Sequence, residues 1–355
     1  MFSPKYTISN TILNNLTAIA EIRTIVGRSK VLPERETLLR RQAIEKMVHA
    51  SVSIEGNLLA EFEVEKVLAR QKIRAGEKQI LEVKNYEKAL KKVWELAEVK
   101  NEITRADVLA VHKITTQDLV AKEKCGQFRL GPVYVANIDK LKNKEEIVYT
   151  APVAQKVPVL IQDLLDWLSS QNKQNINRVI IAGLLHYQFV TIHPFSDGNG
   201  RLTRLLTHLY LAQHNFAFKH ILVLEAYYNN DRKSYYQALD TGDNFEMRRK
   251  ADLTFWLEYF TTGFLKEAEK VKQEILSMGF ARSFPDGEQI FLDRGQIKIM
   301  DFIASMGKIT SQDVMDILGI PKRTAQSKLR KLVENKIISK KGDGPSTFYT
   351  LKQSA

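Results

Sequence analysis

Twelve consecutive residues, His193-Pro194-Phe195-Ser196-Asp197-Gly198-Asn199-Gly200-Arg201-Leu202-Thr203-Arg204, constrain this chain more than any other stretch. An apolar run, Val179-Ile180-Ile181-Ala182-Gly183-Leu184-Leu185, leads towards them. Behind them Leu202, Leu205, Leu206 and Leu209 recur at helical spacing. The pattern predicts a helix, a polar loop and the start of a buried helix. Gly198 and Gly200 let the backbone turn tightly and aim its N–H groups outward. Such a loop at a helix N-terminus is a ready anion site, because the unpaired N–H groups and the helix dipole both favour negative charge. Arg201 and Arg204, three residues apart, can project from one side of the first turn. Two arginines beside an anion nest imply a polyphosphate.

The rest of the chain reads as mainly α. Apolar periodicity predicts helices over 9–30, from Pro33 to about Ser53, over 61–72, 77–98, 104–119, 153–171, 176–191, 201–215, 232–240 and 251–277. Gly56 marks the end of the second helix, and Thr104 with Asp107 forms a capping-box pattern. Two short β-prone runs, 132–138 and 147–150, flank a polar, lysine-rich tip (Asp139–Glu146) and suggest a hairpin. A break is expected at Phe280–Asp286. Beyond it come helices at 296–304 and 311–318, the turn Gly319-Ile320-Pro321-Lys322, a basic helix 323–335 and two further β-prone runs, the order of a winged helix-turn-helix. The expected divisions are 1–100, a core at 101–280, and 290–355.

At 355 residues two or three domains are expected. Net charge is +12, and residues 291–355 hold 12 Lys/Arg against 6 Asp/Glu, a net of +6 that hints at nucleic acid near the C-terminus. The single cysteine, Cys125, excludes an internal disulfide framework and suits a reducing compartment. Met1–Asn15 is polar, without the apolar centre of a signal peptide, and no stretch reaches the roughly 20 apolar residues of a membrane span. A cytoplasmic, soluble protein without membrane partners is the expectation.

The central stretch holds one residue of each kind that phosphoryl or nucleotidyl transfer needs: a base for the attacking hydroxyl, a metal ligand and cations where charge builds up. His193 titrates near neutrality and can accept a hydroxyl proton. Asp197 is a hard oxygen ligand suited to Mg2+. Gly198, Asn199 and Gly200 offer backbone or amide donors, and Arg201 and Arg204 forked contacts to outer phosphates. Taken singly, each has an ordinary structural reading as a capping histidine, a turn or surface arginines. The joint pattern does not.

His193-Pro-Phe-x-Asp-Gly-Asn-Gly-Arg-x-x-Arg204 resembles the signature of the Fic (Fic/Doc) family at every defining position, and the similarity extends over about residues 34–265. The resemblance implies a protein adenylyltransferase that moves AMP from ATP to a Ser, Thr or Tyr hydroxyl of a target protein, and of itself, releasing pyrophosphate. It implies His193 as general base, Asp197 as Mg2+ ligand, Gly198–Gly200 around the phosphates, and Arg201 and Arg204 on the β- and γ-phosphates. Relatives that move phosphate or UMP exist, and the intact Gly198-Asn199-Gly200 favours AMP. Ser51-x-x-x-Glu55-Gly56-Asn57 resembles the family's inhibitory-helix motif, which implies that Glu55 pairs with Arg204 in competition with the γ-phosphate. The hairpin at 132–150 would be the family's flap, which aligns a target segment by strand addition, with Gly126-Gln127-Phe128-Arg129 as its lead-in. Tyr235-Tyr236 resembles a tyrosine pair behind the site, and Tyr228 or Asn230 is expected at the adenine.

In the C-terminal module Lys322, Arg323, Lys328 and Arg330 are candidate DNA contacts, with Lys340 and Lys341 in the wing. A protein-docking or homodimerising role stays open for it. Two rivals to AMP transfer also stay open: a DNA-binding regulator that uses the nucleotide pocket as a sensor, and removal of AMP from a modified target.

Overall fold

The computed structural model describes residues 2–29, 33–99, 102–139, 144–172, 174, 176–278, 293–335, 337–342, 344 and 347–352. The chain divides into two compact units, Met1–Ala281 and Arg282–Ala355. The break expected at Phe280–Asp286 falls outside the described residues.

The first unit is mainly α, as the periodicity predicts. Its helices are α1 (Asn10–Arg28), α2 (Pro33–Ile54), α3 (Glu61–Leu68), α4 (Glu77–Val99), α5 (Arg105–Thr116), α6 (Val157–Asn172), α7 (Arg178–Ile192), α8 (Asn199–Gln213), α9 (Leu224–Asn230), α10 (Arg232–Leu239), α11 (Phe245–Lys250) and α12 (Thr254–Met278). Between α5 and α6 lies an antiparallel hairpin of β1 (Tyr134–Asp139) and β2 (Lys144–Thr150). Its strands run further than expected. Asn137 pairs with Glu146, Ile138 with Glu145 and Asp139 with Lys144, so much of the polar tip belongs to the ladder. A bulge lies between Val135 and Ala136. Helix α5 stops at Thr116, three residues before the expected end, and Asp118 is left-handed.

Two helices are buried on almost every side, α7 and α8, and the twelve-residue stretch joins them. A helix apolar all round belongs at the centre of a bundle, with others packed about it. Helices α6, α12 and α8 pack on α7, while α4 and α5 pack on α8. Gly183 lets α12 close on α7: a Cβ there would lie 3.0 Å from Leu257 and Phe260, and Trp256 Nε1 donates to the Gly183 carbonyl at 2.8 Å. The helices before residue 100 share this core, so 100/101 is a division of sequence and not of packing. Among the described residues no helix is long and apolar enough to cross a membrane.

The second unit contains α13 (Arg294–Met306), α14 (Ser311–Leu318), α15 (Lys322–Glu334) and an antiparallel pair, β3 (Ile338–Lys341) and β4 (Phe348–Leu351). Ile309 exchanges backbone hydrogen bonds with Tyr349 beside that pair. Its core is built from Ile299, Met300, Ile303, Val314, Leu329 and Ile338. The order is helix, helix, left-handed Gly319, basic helix, hairpin.

Candidate active site

Helix α7 ends on His193, whose backbone is left-handed at φ 50° and ψ 60°. Its N–H still donates to the Phe189 carbonyl at 3.1 Å, and the ring Nδ1 lies 3.0 Å from the Val190 carbonyl. A carbonyl only accepts, so Nδ1 carries the proton and Nε2 holds the free lone pair. Burial pushes the imidazole pKa below its ordinary value, against opposing effects of the Val190 carbonyl and Glu55. The ring is therefore neutral at physiological pH, the state a proton acceptor needs.

The loop that follows is shaped by its own side chains. Asn199 Oδ1 accepts from the Phe195 N–H at 2.9 Å, and its Nδ2 donates to the Phe195 carbonyl at 2.8 Å. Both ends of that amide bond to the Phe195 backbone, so Asn199 fixes the shape of the loop. Gly198 caps α8 with φ 81°, and a Cβ there would meet Thr116 Cγ2 at 2.8 Å. The N–H groups of the first turn of α8 have no carbonyl inside the helix to reach.

Asp197 Oδ1 accepts from the Gly198 N–H at 2.6 Å and from Arg201 Nη2 at 3.1 Å. Its side chain is 48% exposed, which leaves the second oxygen for a cation. Among the described residues no group of three or more His, Cys, Asp or Glu could hold a metal by itself. A single hard carboxylate beside an anion site fits Mg2+, which keeps waters and shares substrate phosphate oxygens.

Arg201 is buried, yet its Nε and Nη1 have no hydrogen-bond partner, and Nη1 only approaches Glu82 at 4.0 Å. A buried guanidinium with two unpartnered nitrogens is an arrangement that an anion completes. Arg204, 2% exposed, is engaged through Nε and Nη2. Its Nε donates to Ser51 Oγ at 2.8 Å, and its Nη2 to the Ser51 carbonyl at 3.0 Å and to Glu55 Oε1 at 2.8 Å. Burial opposes its charge, but Glu55, Tyr235 and Tyr86 outweigh that and hold its pKa above the ordinary value. The end of α2 supplies this partner: Gly56, at φ 93°, turns the chain directly after Glu55. The structure thus brings together Ser51, Glu55, Gly200 and Arg204, the first and last of them 153 positions apart.

Two buried residues that the sequence did not single out as site residues hold this loop. His112, on α5, stacks on Phe195 with centroids 3.6 Å apart. Its Nε2 donates to the Asp197 carbonyl at 3.0 Å and its Nδ1 accepts from the Gly126 N–H at 3.0 Å. Burial, with Arg201 adding, pushes its pKa down to about 4. Arg129 donates from Nε to the His193 carbonyl at 2.8 Å, from Nη1 to the Gly131 carbonyl at 2.9 Å, and from Nη2 to the Pro152 carbonyl. Its own N–H donates to the Pro194 carbonyl at 3.0 Å. One guanidinium thus ties His193 to both feet of the hairpin. A histidine on a buried helix face gives no sequence signal of a target 85 residues away.

The tyrosines differ from expectation. Tyr228 is buried at 1% exposure, with its ring stacked on Tyr235 at 4.6 Å, so it has no face to offer an adenine. Asn230 is exposed at the end of α9, and lines a cavity of about 270 Å³ with Leu39, His49 and Glu61 rather than the loop. Tyr235 is buried and contacts His186 Nε2 through its hydroxyl at 2.9 Å, behind the site. Tyr236 is the half-exposed member: its hydroxyl donates to the Ile54 carbonyl at 3.4 Å, at the turn that presents Glu55.

Residues 102–211 match the family model described as Fic/DOC family. A protein adenylyltransferase Fic from Drosophila willistoni is 30% identical over 193 residues, covering 54% of this chain and 34% of the relative. Protein adenylyltransferase fic-1 from Caenorhabditis elegans is 28% identical over 222 residues, covering 61% and 40%. The chain thus spans little more than a third of the length of these relatives. A crystal structure of a Fic family protein from Desulfovibrio desulfuricans G20 superposes with a TM-score of 0.66 at 27% identity, covering 100% of this chain and 99% of that one. The Fic-1 structure from C. elegans (residues 134–508) gives a TM-score of 0.61 at 21% identity over 75% of this chain and 72% of that one, a likeness of fold. With its signature closed into one loop between two buried helices, the stretch at residues 102–211 is the part of the chain that matches the Fic/DOC family.

Proposed function

We propose that this chain transfers AMP from ATP to a side-chain hydroxyl of a target protein, and that Glu55 holds the reaction in check. The reading rests above all on Arg201, a buried guanidinium with two unpartnered nitrogens, and on His193, whose Nε2 is free and whose ring is kept neutral by burial. Relatives named protein adenylyltransferase support the same chemistry.

In this reading His193 Nε2 takes the proton of the incoming hydroxyl. The hydroxyl oxygen bonds to the α-phosphorus as the bond from that phosphorus to the bridging oxygen breaks, and pyrophosphate leaves. The N-terminal turn of α8 and Arg201 meet the charge of the phosphates. Asp197 would hold Mg2+, which would supply positive charge against the phosphates when bound. Arg204 would reach the terminal phosphate once Glu55 releases it. The β1–β2 hairpin would align an extended target segment, since its base is fixed to His193 through Arg129.

Two rivals use the same residues. If Glu55 positions a water, the site removes AMP from a modified protein. If the pocket only senses nucleotide, the chain is a DNA-binding regulator whose DNA affinity changes with ATP. The free Nε2 of His193 favours transfer, because a sensor needs no proton acceptor there. Incubation with α-labelled ATP and Mg2+ in native lysate tests the reading. The Glu55→Gly variant should label protein and the Glu55→Gly/His193→Ala variant should not. No labelling by Glu55→Gly would overturn it.

A further inference from the structure

Helix α15 of the second unit buries one face and leaves a basic one outward. Ala325, Leu329 and Leu332 are buried at spacings of four and three, against the core of that unit. Turning away from them are Arg323, Gln326, Ser327 and Arg330, at i, i+3, i+4 and i+7, all exposed. Arg323 and Arg330 lie two turns apart, about 10.5 Å along the axis. Lys322 is exposed at the first turn, where Pro321 caps the helix without a side-chain hydrogen bond. Lys340 and Lys341 are exposed on the adjoining β3.

Lys328 is set apart from this face. Its ammonium lies 2.8 Å from both carboxylate oxygens of Asp293, the N-cap of α13. Its side chain is only 23% exposed, so it serves the packing of α15 on α13 and is not available to a ligand. Its place on the basic helix is what puts it among the candidate contacts in the sequence. The residues left on the outward face are two forked cations with two short hydrogen-bonding side chains between them.

We infer that the outward face of α15 is a binding surface for double-stranded DNA, with Arg323, Gln326, Ser327 and Arg330 in or along the major groove and Lys340 and Lys341 on the flanking phosphates. A helix about 10–12 Å across fits the major groove, and its arginines match guanine edges or phosphates bidentately. The two-lysine strand beside it sits as a wing does beside a recognition helix. The inference stands apart from AMP transfer, since none of these residues belongs to the first unit.

The test uses the full chain and a fluorescein-labelled, mixed-sequence DNA duplex of about 25 base pairs, followed by polarisation from 25 to 200 mM KCl. Saturable binding that weakens steeply with salt is expected, because each phosphate contact releases about one counterion. Arg323→Ala/Arg330→Ala should weaken binding by roughly tenfold or more at 0.1 M salt and reduce the salt slope by about two. Lys328→Ala should keep the slope while lowering thermal stability, since it breaks only the Asp293 pair. Lys72→Ala/Lys78→Ala, which removes equal charge from exposed positions of the first unit, should bind as the parent does. No retention of the duplex at 25 mM KCl would overturn the inference. So would an equal loss from the first-unit pair, no loss from the α15 pair, or tighter binding of a single-stranded RNA of the same length.

Discussion

The Glu55 carboxylate lies against the backbone of Gly200: a Cβ added there would overlap Glu55 Oε1 and stand 3.2 Å from Arg204 Nη1. Two residues far apart in sequence thus share one small volume, and glycine is the residue that admits the glutamate. The same volume is where a phosphate held by Arg204 would sit. In the proposed reaction, carboxylate and phosphate would compete for it directly. Glu55→Gly should raise AMP labelling by about tenfold or more, since a charged hydrogen bond contributes about 1.5–3 kcal/mol and 1.4 kcal/mol is a factor of ten. Gly200→Ala in the Glu55→Gly background should lower ATP affinity, because the methyl group then encroaches only on the phosphate. Calorimetric titration with a non-hydrolysable ATP analogue checks the second point, and unchanged affinity would remove Gly200 from the phosphate path.

His193 makes a prediction about pH. Burial holds its pKa below the ordinary value near 6.5, so the folded site favours the neutral ring. The rate of labelling by Glu55→Gly should therefore be flat from about pH 6.5 upward and fall only on the acid side of that value. An acid limb centred above 6.5 would mean that the folded site holds the proton more tightly than free histidine does, contrary to the effect of burial. His193→Ala should lower the rate by about 10²–10⁴ while leaving ATP binding in place.

Arg129 joins the hairpin to His193. Three of its N–H groups end on the carbonyls of His193, Gly131 and Pro152, and a lysine can satisfy only part of that set. Arg129→Lys in the Glu55→Gly background should therefore reduce kcat by about tenfold and leave the affinity for ATP unchanged, because the proposed nucleotide contacts lie on α8 and not on the hairpin. Equal losses in both would make Arg129 a general support of the fold.

How much of this was legible depends on the range of each contact. The signature loop, its two flanking helices and the capping box at Thr104 rest on local spacing, and they sit within a few residues of where the pattern places them. Glu55 was legible only through its motif, since nothing local ties it to a residue 149 positions away. His112 and Arg129 were invisible as holders of the loop because their partners are backbone carbonyls and N–H groups, which carry no residue identity. Lys328 misled for the opposite reason. Charge in a basic helix counts every lysine alike, and only packing separates the one that turns back to Asp293.

Tyr228 gives the last prediction, and it separates burial from ligand contact. Its ring is enclosed by Tyr235, Tyr259 and His186, and its hydroxyl finds no hydrogen-bond partner. A hydroxyl buried without a partner forfeits its hydration, a cost of about 1–3 kcal/mol. Tyr228→Phe removes that hydroxyl and keeps the packed ring, so it should leave stability unchanged or raise it by about 1 kcal/mol in urea unfolding. It should also leave ATP affinity as it is. Tyr236→Ala, by contrast, removes the half-exposed ring beside Ile54 and should alter the hold of the Glu55 turn, read as a change in labelling when Glu55 is present and none when it is glycine. A loss of ATP affinity in Tyr228→Phe would return that side chain to the nucleotide and show that the core opens there.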